Sequence, residues 1–453
     1  MAYTVTTRKG YGERLKNSVK KTISGIVLFL GATSFLFWNE GRAVKTSEAI
    51  MEAEEITTHV DDVSQRDAGL EGKMIHATAM AESLDTLRDD TFGAAQPAIK
   101  LIRKVEYYQW MEKSETKTEE SFGGGEETVT TYTYKKIWCD YPLDSEKFED
   151  PAYKNKNFVI EYYDSEETLA ENVTFGAYRL PQYINDAIEG EKEVKLEMDS
   201  AQHQELNHLY IENLRASGHV AVKNLTDSLG REANYLHVKG NRVYIGRNES
   251  KPEIGDLRIT FTYIPSQEVS LISKVTGDTF EKYRSKNGYD FWRVDSGSHS
   301  MGNMFQSARN DNSALTWGYR AAGIIVMIFG LMFAFDIVVM LFKWFPAIAR
   351  VVSAGVSLVS IVFGIIWSLA VIAVAWLFYR PIWGISLLVI TIGLSILFWQ
   401  RLRRKAKNAP PTPEEPDQPE QSEEPTAHEQ PEEPKGPTPP PISTEMLKQS
   451  YKK

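Results

Sequence analysis

The stretch Thr22–Trp38, TISGIVLFLGATSFLFW, is an uncharged run of 17 residues. Nothing comparable follows until three further apolar segments, at Ala321–Phe342, Val351–Phe378 and Ile382–Trp399. A bilayer core is about 30 Å thick, so a spanning helix needs roughly 20 mostly apolar residues. The last three segments meet that length, and the first is at its short end. The sequence therefore predicts a multi-pass α-helical membrane protein with four transmembrane helices, arranged as one and then three.

Residues 39–316, between the first and second apolar segments, have the composition of a soluble domain. Alternating patterns in Glu127–Cys139 and Asp256–Ile264 predict strands. The spacing of apolar residues in Glu167–Ile188 and Ala201–Leu214 instead predicts helices. We therefore expect a large α+β domain that is rich in β-structure.

Basic residues flank the apolar segments unevenly. They are Arg8, Lys9, Arg14, Lys16, Lys20 and Lys21 before the first, Lys343 and Arg350 between the second and third, and Arg401, Arg403, Arg404, Lys405 and Lys407 after the fourth. With four crossings these clusters share one side, which the positive-inside rule makes cytoplasmic. The rule predicts a cytoplasmic head at 1–21, a cytoplasmic tail at 400–453 and an extracytoplasmic or lumenal domain at 39–316.

A cleaved signal peptide is the main alternative to a first membrane anchor, because basic residues precede the apolar run. The only small-x-small triplet near its end, Ala32-Thr33-Ser34, lies inside that run. The exit at Phe35–Glu40 is a poor cleavage site. An uncleaved anchor is the favoured interpretation.

The tail after Lys407 contains 12 of the 20 prolines, interleaved with glutamate. Such a composition buries too little apolar surface to offset chain entropy. We expect the tail to be disordered.

No catalytic set stands out in the sequence. His203 and His208 are five residues apart, so a helix would turn them off a common face, and we expect solvated histidines. The single cysteine, Cys139, excludes an internal disulfide framework and is expected to be an inert thiol. The net charge of −10 and the lack of a basic face argue against nucleic-acid binding. We expect no enzyme activity, cofactor, metal or small-molecule substrate.

Several short motifs occur in order along the chain. They are Asn39-Glu40-Gly41-Arg42 after the first apolar segment, Tyr107-Tyr108-Gln109-Trp110 and Gly255-Asp256-Leu257-Arg258 in the domain, Trp317-Gly318-Tyr319-Arg320 before the second segment, and Trp376 with Tyr379-Arg380-Pro381 between the third and fourth. These motifs and the one-plus-three architecture resemble the transmembrane protein 43 family, also called LUMA. The resemblance covers most of the chain, and the Pro/Glu-rich tail departs from it.

The resemblance implies a location and a role. Eukaryotic members of that family sit in the endoplasmic reticulum and inner nuclear membrane, where they organise the envelope through protein contacts. For a prokaryotic chain we would expect the inner membrane and a general scaffolding role. The family pattern contains no catalytic residues, so none is carried over.

Three charged residues lie at unusual positions along the apolar segments. Asp336 is inside the second segment, where an ionisable group is costly without a partner. Lys343, two turns further on, is its predicted partner, and a proton relay is the alternative. Arg320 and Arg380 break the charge rule on the outer side, so we expect protein contacts or lipid phosphates to hold them. Simple anchoring at the membrane interface is favoured over a specific lipid site.

Two classes of function remain open. The first is a scaffold or membrane-organising protein that binds the lipid bilayer and protein partners, or associates with itself. The second is a subunit of an oligomeric transporter or channel. The apolar segments offer few polar residues beyond Asp336, which favours the scaffold.

Overall fold

The computed structural model describes residues 2–120, 125–380 and 400. The α-helices are α1 Tyr11–Ile56, α2 Gln182–Ala187, α3 Ser200–Ser217, α4 Met301–Ala334, α5 Asp336–Phe342 and α6 Pro346–Tyr379. The strands are β1 Tyr3–Lys9, β2 Thr58–His59, β3 Met74–Ser83, β4 Thr86–Asp89, β5 Ala94–Pro97, β6 Lys100–Glu120, β7 Glu126–Cys139, β8 Glu166–Leu169, β9 Val173–Phe175, β10 Tyr178–Arg179, β11 Lys192–Glu193, β12 Leu236–Lys239, β13 Arg242–Ile245, β14 Leu257–Ile264, β15 Gln267–Thr276, β16 Thr279–Glu281, β17 Tyr283–Arg284, β18 Asp290–Phe291 and β19 Arg293–Ser296.

Three helical stretches are long and apolar enough to cross a membrane: Tyr11–Ile56, Met301–Phe342 and Pro346–Tyr379. They contain the first three predicted segments. The fourth, at 382–399, and the predicted disordered tail lie outside the described residues, apart from Gln400.

The spanning helices are longer than their apolar segments. Helix α1 has 46 residues, so it includes part of the predicted head and the first part of the domain. Helix α4 begins 20 residues before the apolar segment at Ala321 and ends where the non-helical Phe335 separates it from α5. A cluster of Ala32, Leu36, Met327 and Val371 joins α1, α4 and α6.

Two sheets form the large domain. The first has eight strands in the order β1-β7-β6-β14-β13-β12, with β11 beside β14 and β8 beside β6. The second has seven, in the order β19-β15-β16-β10-β9-β3-β2, with β15 also pairing with β3. An extensive apolar core, including Val105, Phe175, Ile259 and Leu271, contains side chains from both sheets.

The predicted helix at Glu167–Ile188 is wrong for most of its length, whereas the one at Ala201–Leu214 corresponds to α3. Residues 166–179 form β8, β9 and β10, and only Gln182–Ala187 is helical. Pro181 starts this short helix, and Gly176, at φ +59°, makes the turn between β9 and β10. Pairing with β6 and β3, which are distant in sequence, outweighs the local helical pattern.

The domain rests directly on two spanning helices. Ile50 and Ala53 of α1 pack with Met304 and Phe305 of α4 and with Ile272 of the seven-stranded sheet. Because α1 and α4 are continuous between this contact and their apolar segments, the bundle and the domain share the same helices.

The hairpin of β6 and β7 extends well past β14, which pairs only with residues 100–107 of β6. Strand β1 pairs with β7 over seven residues, with Thr6 opposite Val129. At the hairpin tip, Glu120 lies 2.7 Å from Arg14 and 3.2 Å from Lys343. The tip therefore lies beside the beginning of α1.

This contact is at odds with the predicted topology at the hairpin tip. The charge rule puts residues 1–21 and Lys343 across the membrane from all of 39–316, yet Glu120 contacts both Arg14 and Lys343. A polar hairpin cannot run exposed through hydrocarbon, because its open edges would leave backbone groups unpaired. A rule that counts charges near the membrane cannot detect an ion pair that joins residues 106 positions apart.

Candidate functional site: a polar node between three helices

Three helices meet around one buried carboxylate. Glu40 of α1 binds Arg320 of α4 in a two-pronged ion pair, with Nε–Oε1 at 2.6 Å and Nη2–Oε2 at 2.7 Å. The indole Nε1 of Trp376, in α6, donates to the same Oε2 at 2.8 Å. The Glu40 side chain is 3% exposed and that of Arg320 12%. A buried carboxylate is costly unless paired and hydrogen-bonded, and here both oxygens have partners.

Aromatic rings hold the Arg320 guanidinium in place. Its central carbon lies 4.7 Å from the centre of the Trp317 ring and 5.8 Å from that of Trp376. Arginine stacks on aromatic faces because its planar charge is weakly hydrated. Trp376 therefore contributes to both sides of the ion pair, as a donor to Glu40 and as a face for Arg320.

A second set of hydrogen bonds extends the contact along α1 and α4. Asn39 donates to the backbone oxygen of Thr316 at 3.1 Å. Arg42 donates to the Thr316 hydroxyl at 2.8 Å and to Asn312 Oδ1 at 3.1 Å. Asn312 in turn donates to the backbone oxygen of Ala43 at 2.9 Å. We call this group the polar node: Asn39, Glu40, Arg42, Asn312, Thr316, Arg320 and Trp376.

The node brings together residues from three of the sequence motifs. Tyr379, from the same motif region as Trp376, packs against Gly41 and Phe37 on α1. Arg380 is exposed, and Pro381 lies outside the described residues. Sequence reasoning did not find Asn312 and Thr316. Their signal was the four-residue spacing of Asn312, Thr316 and Arg320, which puts three polar side chains on one helix face.

The Gly255–Arg258 motif forms a separate cluster in the domain. Asp256 accepts hydrogen bonds from the Tyr244 hydroxyl at 2.5 Å and from the backbone N–H of Glu253 at 2.7 Å. Burial raises the pKa of the Asp256 carboxyl to about 6, although both hydrogen bonds oppose the rise. Gly255 has φ +97° and lies against the ring of Phe158, a position that has no room for a side chain.

Neighbouring motif residues also make internal contacts. Arg258 binds Glu106 at 2.7 Å and lies 4.5 Å over the Trp138 ring. Tyr107 is buried and donates to the backbone oxygen of Tyr163 at 2.6 Å. Trp110 packs edge-on against a second tyrosine ring, that of Tyr153. These contacts join β6, β14 and the segment that follows β7, so they stabilise the eight-stranded sheet.

The predicted pair between Asp336 and Lys343 is wrong. Asp336 instead accepts from Lys21 and from Ser18, both at 2.7 Å, and both donors lie on α1. Lys343 pairs with Glu120 of the hairpin tip. The helix breaks at Phe335, immediately before Asp336, so the regular spacing behind the prediction does not hold there. The partner lies on a helix that is more than 300 residues away in sequence.

The two histidines of α3 make separate contacts. His203 Nε2 lies 2.8 Å from the backbone oxygen of Leu236, and His208 Nδ1 lies 2.8 Å from Glu232. His208, Glu212 and Glu232 have ligand-type atoms within 4.8 Å of one another, but all three are exposed and Glu212 also binds Arg215. The group has the character of a solvated surface cluster.

A comparison with protein families decides the identity of the chain. The family model described as Transmembrane protein 43 matches residues 107–381, which is more than half of the sequence. The chain belongs to the transmembrane protein 43 family. Human Transmembrane protein 43 is 27% identical over 412 residues, covering 89% of this chain and 94% of the human protein. The mouse protein is 28% identical over 408 residues, covering 88% and 94%.

Similarity to the transmembrane protein 43 family extends to insects. The Drosophila melanogaster protein named Transmembrane protein 43 homolog is 27% identical over 400 residues, covering 85% of this chain and 96% of the fly protein. No solved structure matches the chain. The residues matched by the family model include Arg320 and Trp376 of the polar node, whereas Glu40 precedes them.

Proposed function

We propose that this member of the transmembrane protein 43 family is a non-enzymatic membrane scaffold that acts through protein contacts of its large domain and helical bundle. The observation that carries the proposal is the polar node. Glu40 and Arg320 bind each other with side chains only 3% and 12% exposed, and Arg42 is held by the neutral side chains of Asn312 and Thr316. Such a group is suited to fix the geometry of three helices rather than to bind a substrate.

The length of the helices supports the same role. At 1.5 Å per residue, the 46 residues of α1 span about 69 Å. Helix α1 packs against α4 at the node and again at the apolar cluster beneath the seven-stranded sheet. A partner bound to the domain would thus be held at a fixed orientation to the bilayer.

Protein contacts require an accessible surface on the domain. The loop after α3 presents Val222, 68% exposed, and Leu229, 74% exposed. Exposed aliphatic side chains can contribute to a protein interface. We propose this loop as one of the surfaces that contacts partners.

The second candidate, an oligomeric transporter or channel, has less support. Among the described residues of the spanning helices, Asp336 is already held by Ser18 and Lys21. In the described part of these helices, the hydroxyls of Ser360 and Ser368, both in α6, are the buried side-chain groups without a hydrogen-bond partner. A transport path would need a continuous series of such groups.

The proposed location follows from the family resemblance. It is the endoplasmic reticulum and inner nuclear membrane for a eukaryotic chain and the inner membrane for a prokaryotic one. In either case we propose that the two-sheet body of residues 39–316 lies on the non-cytoplasmic side.

Cross-linking in the native membrane tests the scaffold role. The full-length chain is cross-linked, and captured proteins are identified for the wild type and for a Val222→Asp/Leu229→Asp variant. We expect a defined set of partners that the variant loses while its melting temperature stays unchanged. A matched Thr226→Asp control changes the same loop without removing an aliphatic group.

Reconstitution into proteoliposomes provides the opposing measurement. The scaffold proposal predicts no solute or ion flux above that of empty vesicles. Flux together with an empty partner set would overturn the proposal in favour of the transporter.

A further inference from the structure

A cavity of about 810 Å³ lies at the end of the bundle opposite the polar node. Its walls come from the hairpin tip, from the α4–α5 junction and from the first turns of α6. This volume lies within the usual range for ligand sites, roughly 300 to 1,000 Å³. None of the sequence motifs contributes to it, but Asp336 and Lys343 both line it.

The lining is amphipathic. Phe329, Met332 and Val356 form an apolar part, whereas Lys21, Glu120 and Lys343 belong to a charged part. The cavity therefore spans the level at which the apolar segments at Thr22 and Val351 begin. In a bilayer, this is where acyl chains meet lipid headgroups.

Most charges around the cavity are already paired. Asp336 binds Lys21 at 2.7 Å, and Glu120 binds Lys343 at 3.2 Å and Arg14 at 2.7 Å. Arg14 also binds Glu126 at 3.0 Å, so each of these charges has a partner of opposite sign and little capacity remains to bind a further ion.

Two further lining residues, of opposite charge, take no part in these ion pairs. Arg350, in α6, and Glu119, at the end of β6, both line the cavity and both are exposed. Within the described part of the chain, the side chain of neither residue takes part in a hydrogen bond or an ion pair. Among the residues that the structure describes, the cavity thus has one cation and one anion without a side-chain partner beside an apolar wall.

We propose that this cavity binds a zwitterionic phospholipid that carries a primary amine, of the phosphatidylethanolamine type. The Arg350 guanidinium binds the phosphate, because arginine matches phosphate oxygens with paired N–H donors. The Glu119 carboxylate accepts from the ammonium group of the headgroup. The glycerol and upper acyl carbons pack against Phe329 and Val356. Basic pockets between membrane helices at the cytoplasmic edge are established headgroup sites in other proteins.

Native mass spectrometry of the delipidated full-length chain tests the proposal. Phosphatidylethanolamine, phosphatidylcholine and phosphatidylglycerol of matched acyl chains are added separately, and bound lipid is counted. We expect retention of phosphatidylethanolamine over the other two. Arg350→Gln should weaken its binding about tenfold, the effect of one charge-assisted contact. Glu119→Gln should abolish the preference for the amine headgroup.

Further variants and ligands show whether binding depends on the cavity charges, on its apolar part or on the lipid headgroup alone. Lys20→Gln removes a positive charge at the same end of α1 from a residue that does not line the cavity, so it should bind lipid as the wild type does. Val356→Trp fills the apolar part and should lower retention with both charges in place. Inorganic phosphate and phosphoethanolamine at millimolar concentration test whether the headgroup suffices, and we expect neither to compete.

Three results would overturn the proposal. The first is equal retention of the three lipids by the wild type. The second is an equal loss of phosphatidylethanolamine binding in Lys20→Gln and Arg350→Gln, and the third is competition by free phosphate. Melting temperatures of all variants are measured alongside. Arg350 and Glu119 are exposed, so we expect their substitution to leave folding intact.

Discussion

Tyr379, the last residue of α6, lies against Gly41 of α1 so closely that a Cβ atom on Gly41 would come within 2.6 Å of the ring carbon Cζ. The contact is one residue from Glu40, and Trp376 lies one turn earlier on α6. Gly41 therefore lets α6 approach α1 closely enough for the Trp376 indole to reach the Glu40 carboxylate.

Gly41→Ala should destabilise the protein by about 1 to 3 kcal/mol, because a close-packed ring must move to admit the methyl group. Gly31→Ala is the matched control, since Gly31 is in the same helix and has no neighbour within 4 Å of such a methyl. There the better helix propensity of alanine should add up to about 1 kcal/mol. Thermal unfolding of the two variants in one detergent gives the comparison, and equal shifts would contradict the packing argument.

Asp336 and Lys21 should be energetically coupled. Asp336→Asn and Lys21→Met should each lower the free energy of unfolding, because each leaves a partner unpaired. The double variant should recover part of this lost stability. Intramembrane pairs are weakened by snorkelling, so we expect a coupling of about 1 kcal/mol. The same cycle with Lys343→Met should be additive. Coupling of Asp336 to Lys343 but not to Lys21 would refute the assignment.

The stability contributed by Asp256 should fall as pH rises. Its pKa is about 6 in the folded protein against an ordinary value of 3.8, so between these values the folded state holds a proton that the unfolded chain releases. Above pH 6 the protein has lost the full contribution of this group to the free energy of unfolding, about 3 kcal/mol for a pKa shift of this size. Asp256→Asn keeps an oxygen to accept from Tyr244 and Glu253. It should match the wild type near pH 4 and be more stable at pH 7.5.

Asp85→Asn is the control for this pH dependence. Asp85 accepts from the Asn172 and Glu171 backbone, which lowers its pKa below the ordinary 3.8. Its contribution to stability therefore has the opposite sign: it grows as pH rises towards 3.8 and is essentially complete above that value. Chemical unfolding of both variants from about pH 3 to 7.5 separates the two trends, because the Asp85 contribution changes only at the acid end and the Asp256 contribution changes between pH 3.8 and 6. The difference in unfolding free energy between Asp256→Asn and the wild type should change with pH. A constant difference would show that the pKa of Asp256 is not raised.

The amino-terminal strand and the hairpin should form a cross-link in the membrane. Residues opposite each other on adjacent strands have Cβ atoms about 5 Å apart, close to the reach of a disulfide. In a Cys139→Ser background, Thr6→Cys and Val129→Cys should join on mild oxidation, whereas Thr6→Cys with Ser296→Cys should not. Failure of the first pair, with the two positions labelled from opposite sides, would restore the full predicted topology.

Much of the bundle could be predicted from the sequence, because hydropathy over 20 residues is a local property. The segments at Thr22–Trp38, Ala321–Phe342 and Val351–Phe378 all lie in long helices of the structure. Strands with clear alternation, such as β7 and β14, were found for the same reason. The motifs located five residues of the polar node, whereas Asn312 and Thr316 were missed because their four-residue spacing with Arg320 was not used.

The sequence could not show which distant residues meet. Helical spacing suggested Lys343 for Asp336, but the break at Phe335 changes the geometry and α1 supplies Lys21 instead. The strands at 166–179 were read as a helix because their pairing partners in β3 and β6 lie far away along the chain. The approach of the hairpin tip to Arg14 has no local signal at all.

A double-mutant cycle on Glu40 and Arg320 tests the central claim that the polar node fixes the three helices. The variants are Glu40→Gln, which keeps an acceptor for Trp376, Arg320→Met, and both together, with unfolding free energies measured in the same lipid or detergent. Breaking a buried pair by removing one partner costs about 3 to 5 kcal/mol, and removing both partners costs less. We predict large single losses and a coupling of about 2 kcal/mol or more. Additive losses below about 1 kcal/mol each, as at an exposed ion pair, would contradict the account.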